Sequence, residues 1–275
     1  MINGRQRKVI MQANKDGFYY VLDRITGAFI SAQPYAQVTW AKGIDQETGR
    51  PIVNPEAHYD QNKETITLAP SANGAHNWSP MSFNPSTGLV YIPTTTDGTR
   101  TFAVEPDFTY KPGDKNRGVL LTGLGTPRPS PPAIGPVPPE GQHFALVAWD
   151  PVTQKERWRT SGGGAVGGGT VTTAGNLVFQ VVPDGHFVAY SADKGEKLLD
   201  IETGLRGGMA PPITYMLDGK QYVAFLGGQG MVLPPLPNAP PPAPGAVPGN
   251  AASVGGTAPP KLLTFVLDGK GTLPK

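Results

Sequence analysis

Three segments of this chain superpose without a gap: Val21-Leu22-Asp23-Arg24-Ile25-Thr26-Gly27-Ala28-Phe29-Ile30-Ser31, Ala148-Trp149-Asp150-Pro151-Val152-Thr153-Gln154-Lys155-Glu156-Arg157-Trp158 and Ala189-Tyr190-Ser191-Ala192-Asp193-Lys194-Gly195-Glu196-Lys197-Leu198-Leu199. Each reads as a strand, a polar turn and a second strand. A unit of this size cannot bury its own sheet face, so its recurrence implies sheets stacked on one another, as in a β-propeller with four antiparallel strands per blade. A sandwich is the competing all-β answer, but its strands would not carry this repeat.

The remainder of the chain supports the same class. Short apolar or aromatic runs are punctuated by Asp-Gly and Thr-Gly pairs, and helical periodicity is almost absent. Strands are expected at 8–12, 18–22, 89–92, 144–149, 176–180, 186–190, 213–217, 221–225 and 262–267. Asp16-Gly17, Asp184-Gly185, Asp218-Gly219 and Asp268-Gly269 adjoin such runs, the pattern of type I′ hairpin turns, which need φ > 0.

Glycine (36) and proline (31) make up close to a quarter of the 275 residues, against a usual share of about 12%. They concentrate at 125–141 and 234–260, where the chain is expected to be extended, polyproline-like or disordered. The expected organisation is a partial propeller over 1–233, a Pro-rich linker over 234–260, and a closing strand and tail over 261–275.

Charge narrows the function classes. With 23 Lys+Arg against 21 Asp+Glu and no basic stripe, nucleic-acid binding is not expected. The chain has no cysteine, which excludes disulfide frameworks, thiolate zinc sites, cysteine nucleophiles and C-x-x-C-H haem attachment within it. The first residues lack the apolar core of a signal peptide, and no apolar run reaches the roughly eighteen residues of a membrane-spanning helix. His58, His76, His143 and His186 are dispersed and read as surface or turn residues, with no metal-binding carboxylate spacing nearby. Gly162 to Gly167 formally satisfies G-x-G-x-x-G, yet it leads into β-type residues, so there is no helix N-terminus to hold a phosphate. Asn77-Trp78-Ser79 matches a glycosylation sequon and reads as an accident of three residues.

The repeats resemble the A-x-D-x-x-T-G-x-x-x-W unit of propellers that bind pyrroloquinoline quinone (PQQ), whose final Trp docks one blade on the next; Trp158 keeps it, while Ser31 and Leu199 replace it. A longer series of motifs resembles the later half of quinoprotein alcohol dehydrogenases. It comprises the segment 12–27, Val38-Thr39-Trp40-Ala41 with Thr48-Gly49-Arg50-Pro51, His76-Asn77-Trp78-Ser79-Pro80-Met81 leading to 87–93, the segment 168–179, and Asp218-Gly219-Lys220-Gln221-Tyr222-Val223-Ala224.

The resemblance implies an eight-bladed ring holding PQQ over a Ca²⁺ or lanthanide ion, with hydride transfer from a primary alcohol, an Asp base and a cytochrome c acceptor. It implies that Lys15 approaches the quinone oxygen next to the reactive carbon, that Asn77 bonds the cofactor rim and that Trp78 follows it at the pocket. Where the family usually has Trp-Asn-Gly-Gly against the cofactor, this chain has Val166-Gly167 in place of Trp-Asn.

The family's catalytic Asp, its Glu and Asn metal ligands, its vicinal Cys-Cys pair and the Trp beneath PQQ would all precede residue 1. Strand 262–267 resembles the strand leading from the propeller towards the cytochrome c domain of quinohaemoproteins. About four to five blades of roughly 40–50 residues are expected here, with open edges that call for a complementary N-terminal half. The implied location is the periplasm. The competing function is a cofactor-free scaffold propeller that binds other proteins, as in outer-membrane assembly lipoproteins.

Overall fold

The computed structural model describes residues 4–62, 64–121, 126–164, 167–205, 210–228 and 260–273. Strands β1 (Val9–Ala13), β2 (Phe18–Asp23) and β3 (Phe29–Pro34) form the first sheet, and β4 (Ala41–Ile44) pairs with β5 (Pro51–Val53). One 3-10 turn (Pro55–Ala57) and the one-turn helix α1 (Tyr59–Asn62) lead to β6 (Ile66–Leu68). Next come β7 (Ser82–Asn84), β8 (Leu89–Thr95), β9 (Arg100–Val104), β10 (Val119–Leu120), β11 (Phe144–Asp150) and β12 (Lys155–Ser161). Sheet order β12-β11-β8-β7 makes a four-stranded blade, and β9 lies between β10 and β6 in a separate small sheet. A second four-stranded blade runs in sequence order through β13 (Thr170–Thr173), β14 (Leu177–Val181), β15 (His186–Ser191) and β16 (Lys197–Glu202). The last sheet comprises β17 (Ile213–Leu217), β18 (Lys220–Gly227) and β19 (Lys261–Val266).

Each expected strand lies on an observed one, and the fold is all-β, a partial β-propeller. The core is three seams between stacked sheets. Tyr19 and Val21 meet Val90, Ile92, Ala145, Val147 and Trp149 in the first seam. In the second, Leu89, Tyr91, Leu146 and Ala148 meet Val178, Val188 and Tyr190. Phe179, Val181, Phe187 and Ala189 meet Val223, Phe225 and Leu263 in the third. Successive residues of β8, β11, β14 and β15 therefore serve opposite seams, because side chains alternate across a strand. That is why these strands read as unbroken apolar runs. On the far face of the last sheet Ile213, Leu217, Leu226 and Leu262 are 48–68% exposed.

The sequence repeat maps onto the hairpins β2–β3, β11–β12 and β15–β16, and a register shift falls at the same repeat position in each, Val21/Leu22, Ala148/Trp149 and Ala189/Tyr190. The first two turns are built alike. Asp23 Oδ1 accepts from the Ile25 and Thr26 amides, and Asp150 Oδ1 from those of Val152 and Thr153. In the third, the Ser191 hydroxyl accepts from the Glu196 amide.

The turns also carry the blade-to-blade lock. Trp158 stacks on Tyr91 of its own blade at 5.6 Å and crosses to the next blade, where it donates to the Ala192 carbonyl at 3.1 Å and covers Gly195, where a Cβ would stand 2.7 Å from its ring. One seam earlier both partners differ together. Ser31 holds the Trp position and Gln154 the Gly position, and the Gln154 amide donates to Ser31 Oγ at 2.9 Å. Gln154 adopts φ 55°, the left-handed conformation that Gly195 takes at φ 74°.

Two expectations change. A type I′ turn, with both central residues at positive φ, occurs at Asp218-Gly219 (φ 50° and 75°) but not at Asp16-Gly17 or Asp184-Gly185, where only the glycine is positive. There the aspartate carboxylate accepts the amide two residues on, which turns the chain without the left-handed Asp. The Pro-rich stretch at 126–141 bridges to the segment after β3, through Val38 and Ile134, and to β6, through Ile66 and Arg128. Residues 229–259, which hold nearly all of the second Pro-rich stretch, lie outside the described residues.

The exchange of partners gives a test. Ser31→Trp alone is expected to destabilise the chain by about 1–3 kcal/mol, since the new ring meets the Gln154 side chain. Ser31→Trp with Gln154→Gly rebuilds the Trp158–Gly195 contact and is expected to recover that loss, with a coupling above about 0.5 kcal/mol in urea unfolding midpoints.

Candidate functional site

Connections between strands gather at two ends of the stacked sheets. The repeat turns lie at one end. At the other lie the β1–β2 turn, the segment entering β7, the β8–β9 connection, the β12–β13 connection and the β14–β15 turn. These are stitched in order: the Ala75 amide donates to the Lys15 carbonyl at 3.1 Å, the Thr95 amide to the Ala75 carbonyl at 2.8 Å, and the Thr96 amide to the His143 carbonyl at 2.9 Å.

Lys15 stands on the β1–β2 turn, and that turn is tied down at every carbonyl. The Asn14 carbonyl accepts from Tyr35 Oη at 2.7 Å and the Asp16 carbonyl from Trp40 Nε1 at 2.9 Å. The Lys15 carbonyl accepts from Ala75, and the Gly17 carbonyl from the Tyr35 amide at 3.0 Å. The Lys15 stem lies across Gly74, where a Cβ would stand 2.1 Å from its Cγ. Gly74 adopts φ 81°, so glycine is required there for space and for backbone conformation. The Lys15 side chain itself is exposed and makes no ion pair among the described residues. A hairpin lysine in solvent needs no such anchoring; here a fixed backbone carries an uncommitted cation.

Asn77 and Trp78 follow Ala75 on the segment entering β7, so the structure brings the three expected site residues to one seam. The Asn77 amide donates to the Asn73 carbonyl at 2.8 Å, which fixes the side chain and leaves its Oδ1 to accept from a ligand. Trp78 is 54% exposed, unlike a core tryptophan.

His76 corrects the expectation of a surface or turn histidine: it is buried, at 3% exposure. Its Nδ1 lies 2.8 Å from the Pro93 carbonyl, and a carbonyl can only accept, so Nδ1 carries the proton of a neutral ring. Burial pushes its pKa below the usual 6.5, against the opposing pull of that hydrogen bond. The residue staples the Asn77 segment to β8.

The glycine run behaves as its surroundings require. It enters β13 and not a helix. Its backbone is packed so closely that a Cβ on Gly167 would stand 2.2 Å from Pro183 Cγ, and one on Gly169 2.6 Å from Pro80 Cδ. Ala165 and Val166 lie outside the described residues, and with them part of the Val166-Gly167 departure. Among the described residues no three His, Cys, Asp or Glu side chains group as a metal site, and no helix is long and apolar enough to cross a membrane.

Sequence reasoning gave no role to Gly74, Tyr35 or Trp40. Tyr35 and Trp40 act on the turn from 21 and 24 residues away, a separation that carries no local pattern.

The family profile described as "PQQ: Glucose/ethanol/alcohol dehydrogenase, beta-propeller domain" matches residues 148–223. The quinohemoprotein alcohol dehydrogenase ADH IIB of Pseudomonas putida is 42% identical over 99% of this chain. The chain belongs to the PQQ-dependent alcohol dehydrogenase family. It spans about 36% of the length of that relative, and the same share of the dehydrogenase subunit of the quinone alcohol dehydrogenase of Gluconacetobacter polyoxogenes, which is 39% identical over the whole chain. The crystal structure of quinohemoprotein alcohol dehydrogenase from Comamonas testosteroni matches all of this chain and 38% of its own, with a TM-score of 0.78 and 36% identity.

The buried neutral histidine sets a pH limit. Below pH 6.5 the unfolded chain protonates His76 while the folded chain resists it, so stability falls as pH drops below 6.5 and is unaffected by this group above that value. His76→Gln is expected to flatten the dependence of the urea midpoint between pH 5 and 7 relative to the parent chain.

Proposed function

We propose that this chain is the C-terminal part of a PQQ-dependent alcohol dehydrogenase that oxidises a primary alcohol, and that Lys15, Asn77 and Trp78 contact the cofactor. The observation that carries this reading is the Lys15 turn, with four consecutive anchored carbonyls beneath an uncommitted cation, next to Asn77 and an exposed indole. Such a set fits a planar, anionic quinone: a point charge, an amide and an aromatic edge on one seam. PQQ, when bound, accepts the hydride.

The chain's own part is positioning and charge. Lys15 places a cation where negative charge develops on the acceptor oxygen, and its turn needs no rearrangement because every carbonyl already has a partner. Asn77 offers a fixed acceptor. The neutral His76 holds this segment to β8 and adds no charge that would compete with Lys15. In this reading the base and the ligands of the Ca²⁺ or lanthanide ion come from polypeptide outside these 275 residues, and a complementary N-terminal half covers the exposed apolar face carrying Ile213, Leu217, Leu226 and Leu262. The electron acceptor is a cytochrome c and the location is the periplasm. Residues 261–275 supply a closing strand and tail after a Pro-rich linker.

The loss of the docking Trp at Ser31 is the feature that would favour a scaffold without cofactor. Its force is reduced by Gln154, which replaces the Trp–Gly contact with a hydrogen bond across the same seam.

Titration of PQQ with Ca²⁺ or a lanthanide, into this chain alone and into a mixture with the N-terminal half of a relative, tests the proposal through alcohol-dependent dye reduction. Activity is expected only in the mixture, with Lys15→Ala lowering turnover by about 10²-fold or more. Failure of PQQ to bind in either sample overturns it.

A further inference from the structure

We propose that Tyr20 keeps Lys15 available to an anionic ligand by holding the neighbouring Asp16 carboxylate away from it, which makes Tyr20 a positioning residue of the cofactor end. The inference rests on the functional reading above for the identity of the ligand, and on geometry alone for the hold itself.

Lys15 and Asp16 are adjacent, opposite in charge and on one turn. Left to solvent, they would form an ion pair that an incoming anion must break. The structure separates them by sending the two side chains to opposite faces of the first blade. The Lys15 stem runs over Gly74, on the segment that enters the second blade. Asp16 turns the other way, and both its oxygens are occupied: Oδ1 accepts from the Phe18 amide at 2.9 Å and Oδ2 from the Tyr20 hydroxyl at 2.9 Å. The Asn14 amide approaches Oδ2 at 3.5 Å.

Phe18 and Tyr20 alternate with Tyr19 and Val21 along β2, so they share the face that looks away from the second blade. There Phe18 packs edge-on against Trp40 at 6.0 Å, and the Trp40 indole donates to the Asp16 carbonyl. The carboxylate is thereby drawn into a partly desolvated niche. Burial raises its pKa, and the Phe18 and Tyr20 hydrogen bonds oppose that rise. Of the two oxygens, Oδ2 depends on Tyr20: remove the hydroxyl and its remaining partner is the 3.5 Å contact to Asn14, which frees the carboxylate to turn towards solvent and the adjacent Lys15.

The test uses the whole chain without cofactor. Lysine amines are ¹³C-dimethylated, the Lys15 resonance is assigned by Lys15→Arg, and its titration is followed by NMR at low salt. Tyr20→Phe, which keeps the packing ring, is expected to raise the Lys15 amine midpoint by a few tenths of a unit, as a new ion pair would. In an Asp16→Asn background the same substitution is expected to have no effect. An unchanged midpoint in folded Tyr20→Phe, or an equal change with Asn at position 16, overturns the proposal. In the two-part mixture, Tyr20→Phe is expected to weaken PQQ binding about two- to five-fold, and again only when Asp16 is present. Loss of PQQ binding by the parent mixture counts against the functional reading, while the amine titration decides the role of Tyr20 independently.

Discussion

Burial on both faces of the two four-stranded sheets is the constraint on which this structure depends. A blade such as β13–β16 presents Val178, Val188 and Tyr190 to one neighbour and Phe179, Phe187 and Ala189 to the other. Removed from the stack, either face would expose a large aromatic and aliphatic area to water, at about 25 cal/mol per Å². No blade is therefore an independent domain, and stability is shared along the row as in other stacked repeats. The last sheet shows the consequence, since its far face keeps large apolar side chains exposed.

The same stacking builds the candidate site. Lys15 belongs to the first blade, Asn77 and Trp78 to the segment entering the second, and only the seam between those sheets sets them side by side. Main-chain hydrogen bonds across that seam, from Ala75 to Lys15 and from Thr95 to Ala75, turn a packing interface into a defined array of charge and hydrogen-bonding groups. A fixed array of this kind is suited to an anionic ligand, because ordering has been completed during folding and binding need not supply it.

Much of the fold was legible in sequence because strand, turn and repeat are local. The unbroken apolar runs of β8 and β11 and the Asp-x-x-Thr turns of the first two repeat hairpins depend on residues within a few positions of each other. Less legible were β9 and β10, whose polar and interrupted sequence (Arg100 to Val104, then Val119 to Leu120) carries no strong alternation and is organised by pairing with each other and, through β9, with β6. His76 was misjudged for a related reason: its burial comes from packing against β8 and the Pro93 carbonyl, 17 residues on.

By itself the sequence determined an all-β chain of stacked repeats, its relation to the quinoprotein dehydrogenases, and Lys15, Asn77 and Trp78 as the residues worth following. Only the tertiary structure decided that Ser31 and Gln154 change as a pair, that Gly74 makes room for the Lys15 stem, and that Tyr20 turns Asp16 from its neighbour. Those relations join residues that are distant in the chain, or divide adjacent ones between two faces of a strand, and the direction in which a side chain leaves a folded backbone is fixed by what packs against it.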